Sequence, residues 1–148
     1  MESKTERISN QAQARRPQPD LEDPLLAPYW AGAREHKFLL RQCQSCGEYQ
    51  WPPRPMCPRC FGTDFTWAEG DGQGSVYTYT VVQRAFHPAF QELLPYILAV
   101  VEVMPDIRML GNLVHAQPEE VRVGMKVRVE FLDLPEGTTL INWRPANV

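Results

Sequence analysis

The sequence lacks the long apolar runs and the strong charge that mark several classes of protein. None of its 148 residues belongs to an apolar stretch of about eighteen side chains, the length that a membrane-spanning helix requires. No apolar signal segment stands near the first residues, and we therefore expect a cytoplasmic protein without a membrane partner. The formal net charge is −3, so no strong basic field favours nucleic acid as a partner.

Motifs that carry catalytic chemistry are also missing. The chain has no Gly-x-Ser-x-Gly turn for a serine nucleophile and no Gly-Lys-Ser/Thr loop for phosphate. It has only three histidines, His36, His87 and His115, and none stands in a recognisable catalytic pattern. We therefore predict that this chain contains no catalytic residue of its own.

The four cysteines form two Cys-x-x-Cys pairs separated by ten residues, Cys43 with Cys46 and Cys57 with Cys60. Two thiolates three positions apart on a tight turn point at one centre, and a second such turn completes a tetrahedron that Zn²⁺ favours. The sequence therefore predicts a zinc ribbon with one zinc ion. Four thiolates leave no open coordination position, so the metal would be structural.

Three other uses of the cysteines stay open. Rubredoxin-type iron takes the same four thiolates, so the sequence does not separate zinc from iron. A thioredoxin-like redox pair would explain one Cys-x-x-Cys but not two. Disulfides would need an oxidising compartment, which the absent signal segment argues against.

The sequence divides into three parts. Residues 1–22 are polar, lack apolar periodicity and are predicted to form a flexible tail. Residues 23–67 hold a helix that begins at Pro28 and runs to about His36, followed by the ribbon with strands at 38–42 and 49–51. Residues 68–148 alternate apolar and polar side chains, as strands do.

Five strands are predicted in residues 68–148. They span residues 75–84, 96–104, 108–114, 126–132 and 138–144. Gly111 is predicted to mark a bulge inside the third strand. A one-turn helix at 117–121 separates three strands from two, which is the order of an OB-fold barrel. The predicted fold class is mainly β: a short helix and a four-cysteine ribbon, then a five-stranded OB-fold barrel.

Several short motifs in order give the chain a family resemblance over residues 25–145. They are Trp30 with Gly32, Cys43-x-x-Cys46-Gly47, Pro52-Pro53-Arg54-x-x-Cys57-Pro58-x-Cys60, Gly74-x-Val76-Tyr77-x-Tyr79-Thr80, His87-Pro88-Ala89-Phe90 and Pro95-Tyr96. This set resembles the rubredoxin-like zinc-ribbon and OB-fold family associated with acyl-CoA enzymes. The second cysteine pair departs from the pattern, because Phe61 stands between Cys60 and Gly62.

The resemblance implies an accessory role. Members of that family are non-catalytic subunits or domains bound to thiolase-type enzymes, including thiolases, hydroxymethylglutaryl-CoA synthase complexes, acyltransferases and side-chain aldolases. It implies a hetero-oligomer in which a thiolase-like partner supplies the nucleophile. An acyl-CoA ester shared between the two subunits would be the ligand.

Three sets of residues are candidates for contacts with that partner and ligand. The loop between the first two barrel strands, where OB-folds commonly bind, carries Arg84, Phe86 and His87. The leading helix presents Tyr29 and Trp30 as a partner-docking surface. Because coenzyme A carries phosphates, further cations are needed to hold it. The candidates are Arg54, Arg59 and Arg144.

These candidate residues also have purely structural explanations, and the chain has an alternative function. His87 could serve only to cap a strand or to pack under Phe90, and the aromatic helix could dock on its own barrel. A nucleic-acid-binding protein is the alternative function, because both folds recur in such proteins and Tyr77, Tyr79 and Phe86 could stack bases. The barrel segment, with ten acidic and six basic residues, argues against it.

Overall fold

The polypeptide folds into one α-helix, a small sheet and a barrel, as described by a computed structural model over residues 15–148. The mainly β fold predicted from the sequence is confirmed. The elements are α1 (Ala27–Arg34), β1 (Leu39–Cys43), β2 (Tyr49–Gln50), β3 (Phe65–Glu69), β4 (Gln73–Val82), a 3₁₀ helix (Pro88–Leu93), β5 (Tyr96–Met104), β6 (Ile107–Leu113), a second 3₁₀ helix (Pro118–Glu120), β7 (Lys126–Asp133) and β8 (Thr139–Pro145).

Helix α1 ends two residues earlier than the sequence predicted. The N–H of His36 donates to the carbonyl of Ala33 at 2.9 Å, and the N–H of Lys37 donates to Gly32 at 2.9 Å. His36 has a φ of 56°, a left-handed conformation that terminates a helix in this pattern. The chain then turns into β1, so the helix lies close to the sheet that follows it.

The ribbon contains a three-stranded antiparallel sheet in the order β2, β1, β3. Strand β3 was not predicted. It pairs with the full length of β1, from Leu39 opposite Glu69 to Cys43 opposite Phe65. The predicted ribbon boundary at Trp67 falls inside this strand, so the ribbon sheet continues to Glu69.

The barrel is closed in the order β4, β5, β6, β8, β7. All neighbours are antiparallel except β6 and β8, which meet in parallel where Leu113 pairs with Trp143. Three strands, a short helix and two strands closing in this order form an OB-fold, as predicted. None of the helices within residues 15–148 combines the length and the hydropathy that a membrane span requires.

The prediction that Gly111 marks a bulge is wrong. The pairing of β5 with β6 runs without a shift through Ala99 and Gly111, and the irregularity lies instead between Glu102 and Met104. Gly111 serves a packing role. A Cβ atom at this position would lie 2.8 Å from Cδ1 of Trp143, so only glycine lets the indole ring pack against β6.

One hydrophobic core joins the ribbon to the barrel. Tyr29, Phe38 and Leu40 belong to the same buried cluster as Val101 and Trp143 of the barrel. The ring of Phe38 meets that of Trp143 edge to face, with centroids 5.8 Å apart. The ribbon is therefore packed onto the barrel rather than tethered beside it.

A polar contact also fastens the end of α1 to the barrel. Nε2 of His36 lies 3.0 Å from both carboxylate oxygens of Asp133, and its ring stacks on Phe131 at 5.0 Å. The hydroxyl of Thr139 donates to the same carboxylate at 2.7 Å. The hydrogen bonds from Thr139 and then His36 lower the pKa of Asp133 below its usual value.

The predicted tail is described only from Arg15 onward, and residues 1–14 lie outside the described residues. Residues 15–22 contain no helix or strand. They nevertheless contact the barrel, since the hydroxyl of Thr138 donates to Oε1 of Gln18 at 2.7 Å.

Candidate metal centre and partner-facing surfaces

The two cysteine pairs lie on facing turns. The first follows β1, and the second follows the proline-rich segment after β2. In each turn the residue after the second cysteine donates its N–H to the carbonyl of the first cysteine, Gly47 to Cys43 and Phe61 to Cys57, both at 2.9 Å. The same local hydrogen bond thus shapes both turns.

The four sulfur atoms meet at one point. All of them lie within 4.8 Å of one another, and Sγ of Cys43 is 3.6 Å from that of Cys60 while Cys46 is 3.7 Å from Cys57. A tetrahedral site with zinc–sulfur bonds of about 2.3 Å places its sulfurs about 3.8 Å apart. The cluster therefore has the dimensions of a four-thiolate zinc site, and its four cysteines can bind zinc.

Backbone N–H groups prepare the buried sulfurs for metal. The N–H of Cys46, pointing at the sulfur of Cys43, is the main cause that lowers the pKa of that thiol to about 7. The N–H of Cys60 lowers the pKa of Cys57 in the same way. Because only the thiolate is a metal ligand, these bonds favour the binding form.

The second turn contains a backbone conformation that its sequence does not favour. Gly47 has a φ of 77° in the first turn, and the equivalent Phe61 has a φ of 62°. Left-handed backbone is ordinary for glycine and uncommon for a bulky residue. The departure from the family pattern at Phe61 thus leaves the fold of the turn intact while placing an aromatic ring that is 69% exposed beside the metal centre.

The two aromatic residues of α1 lie in different surroundings. Tyr29 is 8% exposed and packs against Trp30, Trp51 and Trp67, with ring centroids 5.1, 4.7 and 6.4 Å away. Burial raises the pKa of its phenol far above the usual value. Trp30 is partly buried, and its Nε1 is enclosed without a hydrogen-bond partner among the described residues. Of the two, only Trp30 reaches the surface.

The loop between β4 and β5 holds three predicted contact residues. Phe86 is 98% exposed, and Arg84 is also exposed. His87 is partly buried. Its Nδ1 accepts a hydrogen bond from the N–H of Ala89 at 3.1 Å, and its ring meets Phe90 edge to face at 5.8 Å. His87 therefore caps the 3₁₀ helix through its Nδ1.

The predicted phosphate-contacting arginines are not gathered in one place. Arg59 pairs with Glu48 on the ribbon, whereas Arg144 lies on β8 and its Nη1 is 2.9 Å from Glu130. Arg54 lines a cleft of about 360 Å³ between the ribbon and the β5–β6 turn, and Glu48 lines it as well. Arg54 therefore shares the cleft with Glu48, the residue that pairs with Arg59. Arg144 lies away from both, on the barrel.

Several exposed apolar side chains were not predicted as site residues. Met56 and Phe61 lie on the ribbon, and Leu110 lies on the outer face of β6 with 67% of its surface exposed. A strand pattern alone does not identify them, because alternation shows which residues share a face but not which face is covered. Their proximity to other exposed apolar side chains would have identified them, and a sequence pattern does not give that proximity.

Comparisons with known proteins agree with this architecture. Residues 30–66 match the model of the ChsH2 rubredoxin-like zinc ribbon domain, and residues 67–132 match that of the ChsH2 C-terminal OB-fold domain. A chain of the solved Ltp2-ChsH2(DUF35) aldolase is 34% identical and superposes with a TM-score of 0.77. That similarity covers 88% of this chain and 99% of the other.

Two curated relatives are equally similar in sequence. A protein of Thermomonospora curvata named "Probable enoyl-CoA hydratase alpha subunit" is 34% identical over 97% of this chain, which spans only 44% of that protein's length. A "DUF35 domain-containing scaffold protein" of Methanocaldococcus jannaschii is 34% identical over 78% of this chain and 83% of its own. The chain therefore belongs to the DUF35 family, in which a rubredoxin-like zinc ribbon precedes an OB-fold.

Proposed function

We propose that this chain is a zinc-binding, non-catalytic accessory subunit of a thiolase-type acyl-CoA enzyme. The partner would be a thiolase, acyltransferase, synthase or aldolase, and the accessory chain would assist assembly and contact the CoA ester. The observation that carries the proposal is the match to nearly the whole length of a chain from the Ltp2-ChsH2(DUF35) aldolase. The scaffold and subunit names of the relatives point the same way.

The four cysteines and two of the three histidines are held in structural contacts. All four thiols face one another in the metal centre. His36 is paired with Asp133, and Nε2 of His115 lies 2.7 Å from Glu130, which Arg144 also contacts. Among residues 15–148, His87 is the one histidine that contacts no carboxylate. A single imidazole without an orienting carboxylate supports binding better than turnover.

The exposed aromatic groups support a role in docking. Phe86 makes almost no contact with its own chain, and Trp30 brings an indole ring to the surface of α1. Exposed rings of this size gain most when a partner covers them, and they are frequent anchors of protein interfaces. In our proposal α1 and the ribbon dock the catalytic subunit, and the β4–β5 loop faces its acyl-CoA entrance.

Two arginine side chains without ion pairs support a contact with the CoA ester. Among residues 15–148, neither Arg54 nor Arg84 forms a salt bridge, so both guanidinium groups can pair with a phosphate. Arg59 would first have to leave Glu48, and Arg144 would have to leave Glu130. We therefore rank Arg54 and Arg84 before Arg59 and Arg144 as phosphate contacts.

A test of the accessory role has two parts. The isolated chain should not turn over acetoacetyl-CoA or longer 3-ketoacyl-CoA esters, and the same chain purified with its native partner should support cleavage or condensation. The partner should be identified by mass spectrometry as a thiolase-type protein. Turnover by the isolated chain, or a stable partner without a thiolase-type fold, would contradict the proposal.

Substitutions in the complex separate docking from ligand binding. Trp30→Ala, or removal of the residues before Phe38, should abolish co-purification, because a central interface aromatic contributes about 2 kcal/mol or more. His87→Ala and Arg84→Ala should leave the complex assembled and raise its KM for the CoA ester. Gln83→Ala, an exposed neighbour in the same loop, is the matched control and should change neither property.

A further inference from the structure

The segment that leads into the second cysteine turn has few hydrogen-bonding groups of its own. Three of its six residues are prolines, which lack a backbone N–H, and its sequence is Trp51-Pro52-Pro53-Arg54-Pro55-Met56. Among the described residues, no backbone N–H or C=O group of this segment bonds another backbone group. The turn that holds Cys57 and Cys60 is therefore approached by a segment that no strand pairing supports.

The first cysteine turn is supported differently. It connects two paired strands, β1 and β2. The N–H of Cys43 also donates to the carbonyl of Glu48 at 2.9 Å, and the N–H of Gln44 donates to the carbonyl of Asp64 at 2.9 Å. Backbone hydrogen bonds thus hold the first turn, whereas the segment before Cys57 has no such support.

A buried side-chain amide takes the place of the missing backbone partners. Gln50, the last residue of β2, is 6% exposed. Its Oε1 accepts hydrogen bonds from the N–H of Arg54 at 3.1 Å and from Nη1 of Arg41 at 3.0 Å. Its Nε2 donates to the carbonyl of Met56 at 3.4 Å. Because both groups that face Oε1 are donors only, the orientation of the amide is determined.

Arg41 adds a second set of contacts to the same segment. Its Nη1 also donates to the carbonyl of Arg54, so side chains bind both backbone polar groups of Arg54. The guanidinium of Arg41 lies over the ring of Phe65, 3.8 Å from its centroid. Phe65 is the first residue of β3 and lies opposite Cys43. One arginine thus links the segment before the second turn to the strand that follows that turn.

We propose that Gln50 and Arg41 are positioning residues of the metal centre. Their side chains fix the backbone at Arg54 and Met56, and Met56 directly precedes the buried ligand Cys57. Holding this segment in place keeps the second turn where its sulfurs meet those of the first turn, so that the ion binds a site already formed. This inference rests on the zinc-binding part of the proposed function.

The test measures how fast the full chain loses zinc to a chelator. Gln50→Met keeps the length of the side chain but removes its hydrogen bonds, and zinc loss should be about tenfold faster than in the wild type. Gln50→Glu keeps both acceptor contacts of Oε1 and should restore most of the retention. Cobalt in place of zinc gives absorption bands that depend on the arrangement of the four sulfurs, and these bands should change in Gln50→Met. Arg41→Lys keeps the charge without the planar guanidinium and should also speed zinc loss.

Gln44→Met is the matched control, because Gln44 is exposed and lies between the two ligands of the first turn. It should release zinc as slowly as the wild type and leave the cobalt bands unchanged. The proposal is overturned if the two methionine variants release zinc at equal rates, if Gln50→Glu is no slower than Gln50→Met, or if the cobalt bands of Gln50→Met equal those of the wild type. A wild-type chain that holds no zinc would overturn both this inference and the zinc-binding part of the proposed function, whereas the other three outcomes leave that part standing.

Discussion

The ribbon and the barrel are stabilised by different forces. The barrel closes over a continuous apolar core in which Val76, Val101, Val127 and Trp143 are almost fully buried. The ribbon shares that core only through its base, and its two turns are held together around four sulfur atoms. A short segment with few buried apolar groups depends on metal for its stability, whereas a closed barrel does not. Two parts of one small chain are thus stabilised in different ways.

The largest effect should come from breaking the metal centre. Cys57→Ser removes a buried ligand, and loss of zinc withdraws a binding free energy of about 10 kcal/mol or more from the ribbon turns. We expect about one zinc per wild-type chain and almost none in the variant, by metal analysis. Amide resonances of the ribbon turns should collapse to unfolded positions while those of the barrel strands persist.

Ser45→Ala provides the control, because Ser45 lies in the first turn but contributes no ligand. It should retain the zinc. Iron in place of zinc, with its visible thiolate absorption bands, would refute the choice of metal. Unfolding of the whole barrel in Cys57→Ser would mean that the barrel also depends on the metal.

The next effect should come from overpacking the barrel. Gly111→Ala would place a Cβ atom 2.8 Å from Cδ1 and 2.9 Å from Nε1 of Trp143, which cannot move because its ring is buried. Overpacking of this kind costs about 1 to 3 kcal/mol. Urea unfolding followed by tryptophan fluorescence should show that loss, with the zinc content unchanged.

Leu110→Ala is the matched control for this position, since the neighbouring side chain is mostly exposed on the outer face of the same strand. Its cost should stay within about 0.5 kcal/mol. Equal losses for the two substitutions would mean that contact with Trp143 does not explain the glycine.

What could be predicted from the sequence depends on how far apart the interacting residues lie. The metal centre and the predicted barrel strands follow local sequence patterns. These patterns are the cysteine spacing, the alternation of apolar and polar side chains, and the prolines and turn residues. Strand β3 was missed because its partner β1 precedes both cysteine turns, so no local signal connects Leu40 with Ala68. The bulge assigned to Gly111 failed for a related reason, since the need for glycine comes from Trp143 on another strand.

The candidate surfaces show the same limit. The sequence identified Tyr29 and Trp30 as an aromatic pair but not that Tyr29 faces its own chain, because helical periodicity does not say what covers a face. Polar composition marked residues 15–22 as a tail, although Gln18 contacts Thr138. The position of Phe86 in a loop is consistent with its exposure. Only the structure shows that 98% of this residue is exposed.

A smaller and opposite effect is expected at the second cysteine turn. Phe61→Gly would replace a non-glycine residue whose φ is 62° with the residue type that Gly47 provides in the first turn. Relief of left-handed strain is worth about 1 kcal/mol, partly offset by the entropy of glycine in the unfolded chain. The zinc-bound ribbon should gain up to about 1 kcal/mol, seen as slower zinc loss to a chelator.

Gly47→Ala is the converse control and should speed zinc loss by a similar factor. If Phe61→Gly also speeds it, then the exposed ring stabilises the turn through packing. In that case the two cysteine turns would be stabilised by different contacts. They would not be equivalent turns of which one contains a strained residue.

The smallest effect should come from the contact between His36 and Asp133, which joins the end of α1 to the barrel. Hydrogen bonds from Thr139 and then His36 lower the pKa of Asp133, so the folded state favours its ionised form. A carboxyl group with a lowered folded pKa adds stability above its unfolded pKa of about 3.9, and this is lost as the pH falls through the folded value. The advantage of the wild type over Asp133→Asn in urea midpoint should therefore shrink between pH 5 and pH 3.

Glu136→Gln is the control in the adjacent turn, because Glu136 is exposed and forms no salt bridge among the described residues. Its difference from the wild type should stay flat over the same pH range. A difference for Asp133→Asn that stays constant or grows on acidification would mean that the carboxylate does not need its charge to hold His36. The ribbon and barrel would then be joined by the stacking of His36 on Phe131 and by the shared core alone.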